Sequence, residues 1–164
     1  MRVLGLDHVS VTVADLERSL GFYHGLLGIR VLGTGVEESP SVTAVTGARA
    51  ARFRYADLDL GSGQILELLQ YLTPRGKPHR PEVYDPGSGH LAVRVDRLEA
   101  ALGALRHAGF EPRSEPVELD EPAWWAGARV VYVTDPDGVT VELVERRRTP
   151  LRESQGANRH RGSR

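Results

Sequence analysis

Two histidines and two glutamates stand at matching places in two distant parts of this sequence. His8 is the second residue of DHVSVTV, and His90 is the second residue of GHLAVRV. In both stretches apolar residues alternate with polar ones, which is typical of a strand with one buried face. Glu67 in ILELLQY and Glu142 in VTVELVE follow the histidines after 59 and 52 residues. Each part of the chain therefore offers one imidazole and one carboxylate.

Two neutral imidazoles and two carboxylates suit a divalent ion such as Zn, Ni, Co, Fe or Mn. They leave one or two positions open for water or substrate, as a catalytic metal site requires. A lone histidine on a strand is more often structural, and a lone glutamate at a strand end is more often solvated. A pair that recurs in register favours a metal site, and a pseudo-twofold axis would make all four residues converge on one point.

The elements that must position these residues also recur. VADLERSL, residues 13–20, matches VDRLEAAL, residues 95–102, at the offset of 82 that also relates His8 to His90. Both segments have the apolar spacing of a helix, and we predict N-caps at Asp15 and Asp96. After the first helix we expect strands in VTAVTGA, ARFRYADLDL and QILELLQYL. After the second we expect a looser region around EPAWWAG, then the strands ARVVYVT and VTVELVE joined by the turn DPDG.

This order predicts an α+β fold made of two paired βαβββ modules. One such unit buries too little apolar surface to be stable alone, so it needs a partner. We place the first module at residues 1–72 and a Pro- and Gly-rich linker at 73–88. The second module then covers residues 89–146, and a basic tail covers 147–164.

Composition narrows the class of protein. Hydrophobic residues make up 40% and charged residues 26% of the 164 residues, which is ordinary for a soluble globular protein. Cysteine is absent, which excludes disulfides and thiolate ligands. No apolar run approaches the length of a membrane span and no signal peptide is evident, so we expect a cytoplasmic protein without a membrane partner.

The charges are unevenly distributed along the chain. Residues 146–164 hold seven Arg and one Glu, which leaves the remainder with a net charge of −7. Because the acidic body shows no basic stripe, we expect no nucleic-acid partner and a solvated tail.

Four stretches together resemble the vicinal oxygen chelate superfamily, to which glyoxalases, extradiol dioxygenases and bleomycin-sequestering proteins belong. They are DHVSVTVADLERSLGFYHGLLG, ILELLQY, GSGHLAVRVDRLEAAL and VTDPDGVTVELVE. The likeness covers about residues 4–146 and is greatest to the methylmalonyl-CoA epimerase and lactoylglutathione lyase branch. It implies a curled, cup-shaped, mostly antiparallel sheet around a metal, with ligands at His8, Glu67, His90 and Glu142.

The resemblance also implies a reaction and an assembly. A divalent metal would polarise a carbonyl of a small acyl or 2-oxo substrate, and Glu67 or Glu142 would move a proton on the adjacent carbon through an enolate. This predicts an isomerase, epimerase or lyase, and we expect a homodimer whose modules pair within one chain or between two. The alternatives are a protein that binds an antibiotic or aromatic metabolite, and an Fe(II) dioxygenase of the extradiol type.

Four further residues are predicted to contact the substrate. Arg94 shares the face of His90 and is suited to a carboxylate or phosphate. Tyr71, Trp124 and Trp125 offer aromatic surfaces. Packing and surface roles are the competing interpretation for each of them.

Overall fold

The computed structural model describes residues 1–122 and 125–146, so Trp124 and the tail from residue 147 lie outside the described residues. Eight strands are interleaved with helices along this part of the chain. In chain order they are β1 (His8–Thr12), α1 (Leu16–Leu20) continuing as a π-helical turn (Gly21–Leu26), β2 (Arg30–Glu37), α2 (Pro40–Thr46), β3 (Arg52–Gly61), β4 (Gln64–Thr73), β5 (His90–Val95), α3 (Leu98–His107), β6 (Val117–Leu119), β7 (Ala128–Thr134) and β8 (Thr140–Glu145).

The strands form two separate four-stranded sheets of the same topology. Their orders are β1-β4-β3-β2 and β5-β8-β7-β6, with the first strand of each repeat at one edge. In each sheet the first strand runs parallel to the last, while the other pairings are antiparallel. The predicted α+β class is confirmed. The module boundaries stay predictions.

One face of each sheet is buried against the helices. Leu66 and Leu68 of β4 and Val141 and Leu143 of β8 are fully buried, because their side chains alternate onto the inner face. The helical leucines that meet them are Leu16, Leu98, Leu102 and Leu105, all buried. These side chains belong to one apolar cluster that includes both halves of the chain. The opposite faces carry the histidines and glutamates. On β4 the residues of this face are partly exposed, whereas on β8 Thr140, Glu142 and Val144 are buried there as well.

The first helix changes its winding before it ends. Asp15 caps α1 as predicted, and its side chain accepts a hydrogen bond of 2.9 Å from the backbone N–H of Arg18. From Gly21 the chain continues as a π-helical turn, which places Phe22 and Tyr23 next to each other in the core. Their rings meet edge to face at 5.0 Å, and Phe22 also contacts Phe110 beyond α3 at 4.9 Å.

The prediction of an N-cap at Asp96 is wrong. Arg97 occupies the cap position of α3, and its side chain makes no capping hydrogen bond. The Leu98 N–H donates instead to a carboxylate oxygen of Glu145, at 3.0 Å. A strand residue from the same half therefore satisfies the helix terminus, and no local sequence signal marks it.

The prediction of a strand in VTAVTGA is also wrong, because this stretch forms most of α2. The Ser39 hydroxyl caps the helix by accepting from the Val42 N–H at 3.3 Å, and Pro40 occupies the first turn. Gly47 ends the helix with a φ of +66°, a conformation that glycine adopts without strain. Terminal signals outweigh the β-branched residues Val42, Thr43 and Val45 here. The strand that pairs with β3 is β2, which lies before α2.

The turn between β7 and β8 joins the two halves. Asp135 accepts hydrogen bonds from the N–H groups of Asp137 and Val139, which forms the predicted hairpin turn. Its other oxygen accepts from the buried Tyr23 hydroxyl at 3.0 Å. Asp137 accepts from the Ala14 N–H and pairs with Arg18 at 2.5 Å. The second half thus supplies carboxylates to the first helix.

Burial determines the direction in which the pKa values of Tyr23 and Asp135 shift at this contact between the halves. Removal from water raises the pKa of Asp135 above its usual value, although its hydrogen bonds to Val139 and Tyr23 oppose the shift. Burial and the neighbouring Asp135 carboxylate likewise raise the pKa of Tyr23. Among the described residues, no helix is long and apolar enough to cross a membrane.

We predict that Tyr23→Phe lowers the free energy of unfolding by about 1–3 kcal/mol, because the buried Asp135 carboxylate loses its hydroxyl donor. Urea denaturation followed by circular dichroism measures the change. Tyr84→Phe is the matched control, since Tyr84 is 79% exposed and its substitution should leave the midpoint unchanged. Equal midpoints for Tyr23→Phe and the wild type would contradict this account of the joint.

Candidate active site

The open face of the first sheet carries His8 and Glu67. β1 runs beside β4 with Ser10 opposite Glu67, so His8 lies one residue pair further along the same face. The Ser10 hydroxyl donates to Glu67 at 2.6 Å. His8 Nδ1 lies 2.7 Å from a carboxylate oxygen of Asp7. This hydrogen bond raises the pKa of His8, with smaller contributions from the charges of Glu67 and Asp57 and opposition from desolvation.

The open face of the second sheet carries His90 and Glu142 in the equivalent arrangement. Ala92 stands opposite Glu142 on the parallel pair, and His90 is again one residue pair further along. His90 Nε2 lies 3.1 Å from Glu142 Oε2, and only 12% of the Glu142 side chain is exposed. The ring of Tyr132 packs beside that of His90, with 5.3 Å between their centroids.

Each half of the chain therefore brings its own histidine and glutamate to one face. The four residues do not all meet within one chain. Among residues 1–122 and 125–146, no three His, Asp or Glu side chains are grouped closely enough to hold one metal ion. The structure contains two separate His–Glu pairs, called half-sites below, and a metal site built from both of them remains a prediction that now concerns an assembly.

The glutamates have two further neighbours: Asp57, which the sequence analysis missed, and Tyr132, whose ring the sequence suggests as a stacking surface. The antiparallel partner of Glu67 is Asp57, and that of Glu142 is Tyr132. Burial first, and then the charge of Glu67, raises the pKa of Asp57, while His8 lowers it. Burial and the charge of Glu142 raise the pKa of Tyr132.

A β-bulge places Asp57 opposite Glu67. Counting outward from the Gly61–Gln64 pair without a bulge would place Leu58 there, but the register shifts between Asp59 and Gly61. Leu58 is fully buried, whereas Glu67 lies on the open face. Since directly opposed residues share a face, the apolar alternation alone signals that the partner must be Asp57.

The four residues predicted to contact the substrate are not grouped together, and each has different neighbours in the structure. Tyr71 packs against Phe53 on the neighbouring strand, with ring centroids 5.2 Å apart. Arg94 projects from the face of β5 that carries His90 and makes no ion pair within the described part of the chain. Trp125 lies beneath the guanidinium of Arg146, whose Cζ is 4.5 Å from the ring centroid. Trp124 falls outside the described residues.

The paired donors fit a divalent ion. Two ligand atoms that are each about 2.1 Å from a metal and at right angles lie about 3 Å apart. The 3.1 Å between His90 Nε2 and Glu142 Oε2 matches this spacing. An imidazole and a carboxylate are also ligands that first-row divalent metals accept.

Comparison with known proteins places the chain in a family. A family model described as "Glyoxalase/Bleomycin resistance protein/Dioxygenase superfamily" matches residues 5–143. The chain belongs to this superfamily. The predicted resemblance is thereby confirmed at the level of the family.

Individual members of the superfamily are related to nearly the whole described chain. A 2-epi-5-epi-valiolone epimerase from an Actinomyces species is 31% identical over 151 residues, covering 86% of this chain and 79% of the relative. A lactoylglutathione lyase from Haemophilus influenzae is 28% identical over 144 residues, covering 87% and 93%. A crystal structure of a glyoxalase family protein from Bacillus cereus has a TM-score of 0.78 at 22% identity, covering 88% and 95%, and shows the shared fold.

For this superfamily member we predict that Asp7→Asn lowers the pKa of His8, because the substitution removes the carboxylate that most favours the imidazolium. An NMR titration of the imidazole signals in the metal-free protein measures the shift. Asp120→Asn, at an exposed position outside the half-sites, is the control and should leave the titration of His8 unchanged. An unaltered His8 titration in Asp7→Asn would show that Asp7 does not set it.

Proposed function

We propose that this protein is a metal-dependent isomerase, epimerase or lyase that moves a proton next to a carbonyl of a small acyl or 2-oxo substrate. The observation that supports it best is the His–Glu pair on one face of each sheet. In the second sheet, His90 Nε2 and Glu142 Oε2, two atoms that could bind a metal, lie 3.1 Å apart. The relatives named as an epimerase and a lyase support the same class of reaction.

The site is completed by a second copy of the chain. One chain's described residues contain no three acidic or histidine side chains close enough for one ion. The first strands β1 and β5 are sheet edges with free hydrogen-bonding groups on one side. Pairing the β1 edge of one copy with the β5 edge of the other would bring the half-site of His8 and Glu67 beside that of His90 and Glu142. The protein is accordingly a homodimer with two shared sites.

His8, Glu67, His90 and Glu142 would hold the ion. A divalent metal bound there supplies Lewis acidity, which lowers the cost of negative charge on a carbonyl oxygen. One of the two glutamates takes the proton from the adjacent carbon and returns it. Ser10 orients Glu67 by its 2.6 Å hydrogen bond, and the Tyr132 ring packs beside that of His90.

Binding of an aromatic metabolite without turnover is the second candidate. Tyr132 and Trp125 present rings on or beside the open face of the second sheet. Such rings stack on flat ligands. The His–Glu pairs are unexplained by that role, so the enzyme is favoured. An Fe(II) dioxygenase needs open metal positions for both a catecholate and O₂, and two carboxylate ligands leave fewer of these positions.

We predict that His8→Ala and His90→Ala each lose metal binding while retaining their secondary structure. Both histidine side chains are about half exposed on open faces, so the core does not depend on them. Metal content is measured by elemental analysis after loading, and the fold by circular dichroism. His107→Ala, at an exposed position on α3, is the control and should bind metal like the wild type. Unchanged metal content in both variants would contradict the site.

Mixing the two variants tests whether the site is shared between chains. A heterodimer of His8→Ala and His90→Ala contains one intact site and one site that lacks both histidines. After complete subunit exchange, about a quarter of the wild-type metal content should return, since half of the dimers are mixed and half of their sites are intact. If the half-sites paired within one chain, each site would lack one histidine and no metal would return.

We also predict proton exchange rather than oxygen chemistry. The metal-loaded protein is incubated in D₂O with 2-oxo thiohemiacetals, 2-methyl-branched acyl thioesters and catechols. Deuterium should appear at a carbon next to a carbonyl, without oxygen uptake. Oxygen consumption with ring cleavage would instead identify a dioxygenase. Tight binding of an aromatic compound without any turnover would support the second candidate.

A further inference from the structure

A pocket of about 270 Å³ lies between the two halves of the chain, beside the open face of the second sheet. The turn between β3 and β4 forms one wall through Ser62 and Gln64. Arg94 on β5 and Arg146 after β8 lie on the other side, together with Trp125. Neither the metal-site proposal nor the comparisons assign a role to this pocket as a unit.

The lining of the pocket is basic. Two arginines contribute to it, and no Asp or Glu is found among its described lining residues. Some arginines elsewhere are paired with carboxylates, as Arg30 is with Asp59 and Arg54 with Glu17. Arg94, in contrast, has no ion pair within the described part of the chain. A guanidinium in that situation is suited to bidentate contact with a carboxylate or phosphate.

The pocket wall formed by the turn between β3 and β4 contains a serine in a backbone conformation that is unfavourable for it. Ser62 and Gly63 are the two central residues of the hairpin closed by the Gly61–Gln64 pair, and their φ angles are +57° and +77°. Such turns favour Asn, Asp or Gly at the first central position, and serine is strained there. A strained residue at a pocket wall is a signal of function. Ser62 belongs to the lining that contains the two arginines.

The pocket lies at a fixed separation from the proposed metal ligand. His90 and Arg94 lie on the same face of β5, four residues apart. At about 3.3 Å per residue their Cα atoms are about 13 Å apart. The arginine side chain covers part of this distance, and an extended molecule covers the rest more readily than a compact 2-oxo acid.

We propose that this pocket, formed by Ser62, Gln64, Arg94, Trp125 and Arg146, binds an anionic group, a carboxylate or a phosphate, at the far end of an extended substrate. Arg94 is the principal ligand, and the cation–π contact holds the Arg146 guanidinium over Trp125. The distance argument rests on the proposed function, because it takes His90 as a metal ligand. The anion site itself does not depend on a metal.

The test uses the full-length, metal-free protein at low salt, where surface charge is least screened. Inorganic phosphate and succinate are titrated in separate arms. The indole N–H signal of Trp125, assigned with the Trp124→Phe variant, reports binding by NMR. The variants are Arg94→Gln, Arg94→Lys, and Arg49→Gln as a matched control at an exposed position in the first half.

We expect at least one anion to shift the Trp125 signal saturably. Arg94→Gln should weaken that binding by about tenfold or more, and Arg94→Lys should weaken it less. Arg49→Gln should have the wild-type affinity. Preference for phosphate or for succinate tells which anion the substrate carries. Absence of saturable binding by either anion, or equal affinity in Arg94→Gln and the wild type, would overturn the proposal.

His90→Ala separates this proposal from the metal site. It should leave anion affinity unchanged even though it abolishes metal binding. Saturable, Arg94-dependent anion binding by a protein that fails to bind metal would leave the pocket standing and remove the proposed function. Metal binding and proton exchange by a protein that binds neither anion would support the proposed function and overturn the anion site.

Discussion

The alternation of side chains across β4 and β8 is the constraint on which the rest of this structure depends. Leu66 and Leu68 must enter the core, and Glu67 between them is therefore directed to the open face. The same holds for Val141 and Leu143 around Glu142. Each glutamate is placed by the burial of its neighbours, so the apolar core and the face that carries the glutamates are two consequences of one pattern. A slip of one residue would exchange them.

The contact between the halves sets how the two sheets are joined. Tyr23 donates to Asp135 in a fully buried position, and Asp137 from the same turn receives the Ala14 N–H and the Arg18 guanidinium. Because these partners are more than a hundred residues apart in sequence, they form only when both sheets are in place. The buried helical residues of both halves then share one apolar cluster with the inner faces of the sheets.

The sequence predicted the strands that carry the site, since alternation and the repeat are strong local patterns. His8, Glu67, His90 and Glu142 were each assigned to strands in which the structure has them. The β-branched residues of residues 42–46 favoured a strand, and that prediction was wrong. The capping residues Ser39 and Gly47, with Pro40 in the first turn, determine that this stretch forms α2. The cap of α3 comes from Glu145, 47 residues away. The register of the strands and the pairing of subunits depend on residues far apart in the sequence. The periodicity of apolar residues does not specify which sheet edges pair with each other.

The bulge beside Gly61 makes the two half-sites unequal. Both halves repeat a histidine and a glutamate, but Asp57 faces Glu67 where Tyr132 faces Glu142. A duplicated scaffold thus presents an anionic wall on one side and an aromatic wall on the other. In the proposed dimer, a molecule between these walls would meet different chemistry at its two ends and would fit in one direction only. A scaffold built from two similar halves can therefore still distinguish the two ends of the molecule that it binds.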